Sequence, residues 1–159
     1  MNQKIQSRRN FIKTSAIGAT AIGVGFVAAS EPVIAAAIET DFNGLKAGEQ
    51  MIPVGSFQMP AYVSRPEKAK GSLPVIIVAS EIFGVHEYIA DITRRFAKLG
   101  YLAIAPEFFT RAGDPNTYGT TAEIQKNIVA KTPDAQVLND LQAALVWACL
   151  LYTSDAADE

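Results

Sequence analysis

The sequence contains little cysteine, little histidine and little net charge. A single Cys excludes an internal disulfide, and one Cys with one His argues against a zinc site. The formal net charge of −2 at pH 7 offers no basic surface to nucleic acid. Hydrophobic residues make up 49% of the 159 residues, which is typical of a globular chain of about one domain and excludes a disordered one.

Charge divides the chain into three segments. Residues 1–37 carry four basic residues and one acidic residue, and residues 38–148 carry ten basic and twelve acidic residues. Residues 149–159 carry three acidic residues and no basic one. Because the three segments differ in this way, each is interpreted separately.

The first segment has the pattern of an export signal. Arg8 and Arg9 precede Asn-Phe-Ile-Lys, a moderately hydrophobic run follows at residues 16–29, and small residues occupy positions 35–37. The paired arginines resemble the twin-arginine export signal. This resemblance implies passage through the twin-arginine translocase to the periplasm or the exterior of a bacterium.

Cleavage of the signal is expected after Ala37, with Ala29 as the second candidate position. The apolar run is shorter than the roughly 20 residues that a membrane helix needs, so we expect no stable membrane association after cleavage. An uncleaved N-terminal anchor helix is the alternative interpretation.

The second segment begins with a predicted β-hairpin. Residues 50–54 and 59–64 form two short extended runs, and Gly55-Ser56 supplies the turn between them. Pro60 lies inside the second run, which predicts that this run is an edge strand.

A strand–helix–strand unit is predicted next. Residues 74–80 are almost all apolar, which predicts a strand buried on both faces of a parallel sheet. Apolar residues at helical spacing over 88–99 predict a helix, with Gly100 ending it and Arg94 on its polar face. Residues 101–105 predict a second buried strand.

Two further helical segments follow. Residues 121–131 are weakly helical, and another helix is predicted to begin at Thr132-Pro133-Asp134. Its apolar stripe should pack on the sheet and contains positions 137, 138, 141, 144, 145 and 148. The fold class is therefore α/β. With two buried parallel strands and one hairpin, either the protein is very small or the sequence stops early.

Three motifs carry a family resemblance: Ser-Glu-Ile-Phe-Gly-Val-His-Glu-Tyr-Ile at 80–89, Gly-Tyr at 100–101 and Pro-Glu-Phe-Phe-Thr-Arg at 106–111. Together they resemble the dienelactone hydrolase (carboxymethylenebutenolidase) family over residues 48–148. The resemblance implies an α/β-hydrolase three-layer sandwich. The chain would hold its N-terminal hairpin and its first parallel strands and helices.

The family's reaction is attack on an ester or lactone carbonyl by a Cys, or occasionally a Ser, which an Asp and a His support. The nucleophile lies in a G-x-C-x-G or G-x-S-x-G turn, and neither motif occurs in this sequence. The sole His, His86, precedes any position where that turn could lie. We therefore predict a triad located beyond the end of this chain, and no activity for the chain itself.

The resemblance assigns supporting roles to three residues that are present. Glu81 matches a Glu that tunes the nucleophile, and its carboxylate is expected in a partly desolvated cleft. Ile82 matches the residue whose backbone N–H stabilises the oxyanion. Arg111 matches an Arg that binds the substrate carboxylate. No metal or organic cofactor is implied.

The other polar residues of these motifs are predicted to have no part in the chemistry. His86 is expected to cap or pack at the start of a helix. Asp91 and Glu107 are expected to be acids on the surface of a helix and in a loop, respectively.

The tail, residues 149–159, departs from the family's pattern, which continues with a turn and the strand before the nucleophile. It resembles, residue for residue, the translation of a transposase adapter used in sequencing libraries. We therefore expect native sequence to end at Ala148, and the alternative is a genuine short acidic tail. Cys149 is not assigned as the nucleophile, because it lacks flanking glycines and a later His.

The sequence as a whole predicts the N-terminal part of an exported ester or lactone hydrolase. Two alternatives stay open: a small secreted, non-catalytic α/β binding module, and an α/β-hydrolase that acts on another acyl substrate.

Overall fold

The computed structural model describes residues 39–69 and 71–155, so the predicted export signal lies outside the described residues. The strands are β1 (Leu45–Val54), β2 (Phe57–Pro66), β3 (Val75–Ile77) and β4 (Leu102–Pro106). The helices are α1 (Glu87–Lys98), α2 (Thr121–Asn127) and α3 (Asp134–Asp155), with short 3-10 turns at Pro115–Thr117 and Val129–Lys131.

The predicted hairpin is confirmed, and it is longer than expected. β1 and β2 pair antiparallel from Val54 opposite Phe57 to Leu45 opposite Pro66. Gly55 takes a φ of 60°, which the tight turn requires and which glycine adopts without strain.

The prediction that Pro60 marks an edge strand is wrong. The sheet order is β1-β2-β4-β3, so β2 lies inside the sheet. Its ladder with β4 begins only at Ala61 opposite Pro106. Pro60 therefore lies at the end of that ladder, where its carbonyl accepts a hydrogen bond from the Glu107 N–H at 2.9 Å and its missing N–H costs little.

The strand–helix–strand unit is also confirmed. β3 pairs parallel with β4, Val75 lying opposite Leu102, and α1 connects them. β3 is shorter and less buried than expected, because its three residues are only half-buried at the edge of the described sheet. β4 is buried along its whole length, as expected.

Helix α1 begins and ends one residue before its predicted bounds, and the face that it buries was predicted only in part. Ile89 is 3% exposed and Ile92 packs against the core, as expected. Tyr88 and Leu99, two of the apolar positions, are 56% and 72% exposed. Asp91 and Arg94 are instead 2% and 0% exposed. Both residues were expected on the surface of the helix, and both are buried.

A network of charged groups explains this burial. The Arg94 guanidinium donates to Glu87 Oε1 at 2.6 Å, to Asp91 Oδ1 at 3.2 Å and to Tyr62 Oη at 3.2 Å, while its Nε donates to the Thr40 carbonyl at 3.2 Å. Buried charges require such partners.

Asp91 belongs to the same network. Burial alone would raise the pKa of Asp91, but hydrogen bonds from the Thr40 backbone N–H and from Arg95 outweigh burial and hold this pKa below its ordinary value. The buried carboxyl group is therefore stabilised in its charged form.

The two faces of the sheet carry different helices. On one face, α3 packs on a core formed by Ile52, Val54, Met59, Ala61, Val63, Leu102, Ile104, Ala144 and Ala148. On the other face, α1 contributes to a core formed by Tyr62, Ile89, Ala90 and Ala105. The alternation of Ile104 and Ala105 between the two cores follows the two-residue period of a strand. The described residues therefore form three layers, with the sheet between α3 and α1, and the predicted α/β fold class is confirmed.

The predicted stripe of α3 is only partly on the sheet. Ala144 and Ala148 are fully buried, whereas Leu138 and Leu145 are 65% and 48% exposed. The helix continues past Ala148 to Asp155, and its helical conformation there does not bear on the origin of the tail. No helix within residues 39–69 and 71–155 is long and apolar enough to cross a membrane.

Candidate active site at the carboxyl edge of the sheet

The segment that carries the predicted site leaves the sheet at the carboxyl end of β3. The Val78 N–H still donates to the Ile104 carbonyl at 2.8 Å, and a turn then brings the Gly84 N–H to the Glu81 carbonyl at 3.2 Å. Helix α1 begins three residues later at Glu87. Open α/β sheets bind their ligands outside the carboxyl ends of the strands, which is where this turn lies.

The turn requires glycine at position 84. Gly84 has a φ of 75°, a conformation that costs other residues strain. A Cβ atom at this position would also lie 2.8 Å from Glu107 Oε2. The turn after β3 therefore packs directly on the residue that follows β4.

Glu107 is a site residue that the sequence interpretation missed. Glu107 lies in the loop that begins after β4, as expected, but the residue is only 7% exposed, so its side chain is buried. Its backbone N–H extends the β2–β4 ladder by donating to Pro60. Its position directly after a buried parallel strand, at the edge where the Glu81 turn was expected, is the sequence signal that could have identified it.

Glu81 is at the predicted edge, but it is not desolvated by the described residues. Its side chain is 62% exposed, and Oε2 lies 3.6 Å from Nε2 of His86. The expectation of a partly desolvated carboxylate is therefore not met here. The His86 side chain is 37% exposed, so the pair is solvent-screened and weak.

His86 is the N-cap residue of α1, in agreement with its predicted position at a helix start. Its side chain makes no capping hydrogen bond. Instead its ring stacks on Tyr88 with 6.3 Å between ring centroids. Ile82 lies within the turn, so its backbone N–H is at the same edge, and its oxyanion role stays a prediction.

The Arg111 side chain forms an ion pair with Asp140. The two terminal nitrogens donate to the Asp140 carboxylate at 2.6 and 2.8 Å, and the guanidinium carbon lies 4.0 Å from the centroid of the Phe57 ring. Asp140 is fully buried on α3, and the Arg111 side chain is 24% exposed. Binding of a substrate carboxylate by Arg111 stays a prediction, since both terminal nitrogens here bind α3.

The described residues bring together no nucleophile and base. Cys149 is exposed on α3. No group of three or more His, Cys, Asp or Glu residues in the described part of the chain could hold a metal ion. The site thus consists of the exposed Glu81 carboxylate, the Glu81–Gly84 turn and the buried Glu107 carboxylate, which lies against Gly84.

Comparison with known proteins identifies relatives of this chain. The family model described as "Dienelactone hydrolase family" matches residues 59–155. A protein of Methylorubrum extorquens is 47% identical over 92% of this chain and 48% of its own length, and one of Escherichia coli K12 is 48% identical over 78% and 46%. Both are named "Putative carboxymethylenebutenolidase".

A solved structure is similar as well. The crystal structure of a "Putative Dienelactone Hydrolase" from Klebsiella pneumoniae is 52% identical, with a TM-score of 0.66, over 68% of this chain and 45% of that one. The chain spans about half the length of the curated relatives that it matches.

Proposed function

Because the chain belongs to the dienelactone hydrolase family, we propose that it is the N-terminal part of an exported hydrolase that cleaves an ester or lactone bond in a small, carboxylate-bearing substrate. The observation that carries this proposal is the Glu81–Gly84 turn at the carboxyl edge of the β3–β4 pair. It lies inside the segment that the family model matches.

In the proposed reaction the catalytic triad comes from the sequence beyond residue 148, and this chain supplies supporting groups. A Cys or Ser nucleophile, activated by a His that an Asp orients, attacks the carbonyl carbon. The Ile82 N–H donates a hydrogen bond to the developing oxyanion, and the Glu81 carboxylate tunes the nucleophile. No metal or organic cofactor takes part, and the chain without the triad is inactive.

Arg111 can bind the substrate only if its pairing with Asp140 allows it. To bind the substrate carboxylate, it would share its terminal nitrogens between the substrate and Asp140, since both nitrogens now donate to Asp140. The Arg111 side chain is 24% exposed, so it is in partial contact with solvent. The alternative is that Arg111 only stabilises the fold, through its ion pair with Asp140.

The decisive experiment is to sequence the genomic DNA past codon 148 and to express the complete reading frame. A frame that continues with G-x-C-x-G or G-x-S-x-G, then Asp, then His, together with turnover of nitrophenyl acetate and a dienelactone, would support the proposal. A native frame that encodes residues 149–159 and then stops would instead support a secreted, non-catalytic module. It would also contradict our proposal that these residues are non-native.

Export is the second part of the proposal. It is supported by Arg8 and Arg9 and by the moderately hydrophobic run and small residues that follow them. Changing both arginines to Lys keeps the charge but should retain the complete protein in the cytoplasm. Unchanged accumulation in the periplasm or medium would contradict the twin-arginine assignment, and N-terminal sequencing would distinguish cleavage after Ala37 from cleavage after Ala29.

A further inference from the structure

The fold supplies hydrogen-bond partners to its buried polar side chains. The hydroxyls of Ser64 and Thr93 lie 2.8 Å apart, and Thr93 Oγ1 also donates to the Ala90 carbonyl at 2.7 Å. Buried Arg94 and Asp140 are paired with opposite charges. Burial without a partner would cost folding free energy, which is why such groups are normally satisfied.

Ser80 departs from this pattern. Its Oγ atom is buried and has no hydrogen-bond partner among the residues that the structure describes. A buried hydroxyl of this kind requires an explanation, and a part in the chemistry of a site is one of the recognised ones. The hydroxyl can donate one hydrogen bond and accept others, so it suits a ligand with oxygen atoms.

The position of Ser80 shows which ligand it could meet. The residue follows β3 and directly precedes the Glu81–Gly84 turn, at the carboxyl edge where an α/β sheet binds its ligand. It therefore directly precedes Glu81 and lies two residues before Ile82, the two residues of the proposed site. The groups that approach this edge in the proposed reaction are the oxygen atoms of an ester or lactone.

We propose that Ser80 is a substrate-contacting residue whose hydroxyl donates a hydrogen bond to an oxygen of the ester or lactone. This inference rests on the proposed function and adds a residue to its site. The contact is made to bound substrate and persists in the transition state, so it contributes uniform binding. Its loss should raise KM and leave kcat largely unchanged.

The test is Ser80→Ala in the complete gene product. We expect KM to rise about fivefold to tenfold, as for the loss of one neutral hydrogen bond, with little change in kcat. The thermal midpoint should stay the same or rise, because the variant removes a buried hydroxyl that has no partner within residues 39–69 and 71–155. Ser72→Ala is the matched control, since Ser72 is exposed in the loop before β3 and should change neither quantity.

The outcomes separate this inference from the proposed function. If the wild-type protein turns over an ester or lactone and Ser80→Ala leaves KM unchanged, the Ser80 inference fails alone. A fall in thermal midpoint with unchanged KM would assign the hydroxyl to the fold and overturn it too. If the complete wild-type protein hydrolyses neither class of substrate, the proposed function fails and the inference fails with it. Ser80→Thr, which keeps a hydroxyl, should retain a KM near that of the wild type.

Discussion

Replacing Asp140 with Ala should strongly destabilise the protein, because it leaves the Arg111 guanidinium without its carboxylate. Asp140 is fully buried, and it accepts hydrogen bonds from Arg111 at 2.6 and 2.8 Å. Removing one partner of a buried ion pair costs about 3–5 kcal/mol. Arg111 keeps partial solvent contact and the Phe57 ring, so we expect the lower end, about 3 kcal/mol.

Urea denaturation of the complete gene product measures this effect. The double variant Arg111→Met with Asp140→Leu should recover most of the lost stability, because it removes both charges and fills the site with apolar groups. Lys98→Ala is the control for an ion pair on the surface: Lys98 pairs with exposed Asp41, and its loss should change the midpoint little. A loss below about 1 kcal/mol for Asp140→Ala would refute the assignment of a buried, structural pair.

The same variants distinguish a structural Arg111 from one that binds substrate. If Arg111 acts only on the fold, the double variant should retain the wild-type KM once its stability is recovered. If Arg111 also binds the substrate carboxylate, the double variant should be stable and show a raised KM. The comparison therefore decides between the two roles without relying on a variant that fails to fold.

Three further predictions concern single residues. Glu81→Gln in the complete protein should lower kcat/KM by roughly 10- to 1,000-fold with stability little changed, whereas wild-type kinetics would make Glu81 a surface acid. The folded-state pKa of Asp91 is lowered, so its contribution to stability is full above the unfolded-state pKa of about 3.9 and is lost as pH falls through the folded-state value. Acid titrations of stability should therefore be shallower below about pH 4 for Asp91→Asn, and an identical slope would contradict this. Gly84→Ala should lower the thermal midpoint, and adding Glu107→Ala should restore part of the loss by relieving the 2.8 Å approach, so an unaltered midpoint in Gly84→Ala would contradict the strained turn.

Local pattern was sufficient to predict most of the elements of this fold. The hairpin, β4 and the bounds of α1 all follow from features that lie within a few residues of one another: turn glycines, apolar runs and helical spacing. Pro60 shows the limit of such rules. A proline disrupts a sheet only where the ladder needs its missing backbone N–H. Where the β2–β4 ladder ends is determined by β4, a strand more than 40 residues later in the chain.

The buried face of α1 could be predicted only in part from its periodicity. A hydrophobic stripe assumes that charged residues turn to solvent, and this holds only when they lack partners in the fold. Arg94 and Asp91 pair with each other, and they also bind the backbone carbonyl and N–H of Thr40, respectively, across more than 50 residues of sequence. No local pattern contains that information.

The candidate site was predictable to the extent that its chemistry lies in one continuous motif. Glu81 and Ile82 share such a motif, and the structure places both in the turn at the carboxyl edge of β3. Glu107 was missed because its role depends on its packing against Gly84, which precedes it by 23 residues in the chain. Ser80 was missed because a sequence does not show which hydroxyls are buried or which have hydrogen-bond partners. Both residues follow strands that end at the same edge. In a parallel β3–β4 pair, the residues within three positions after each strand are therefore the ones to test first, whether or not a motif names them.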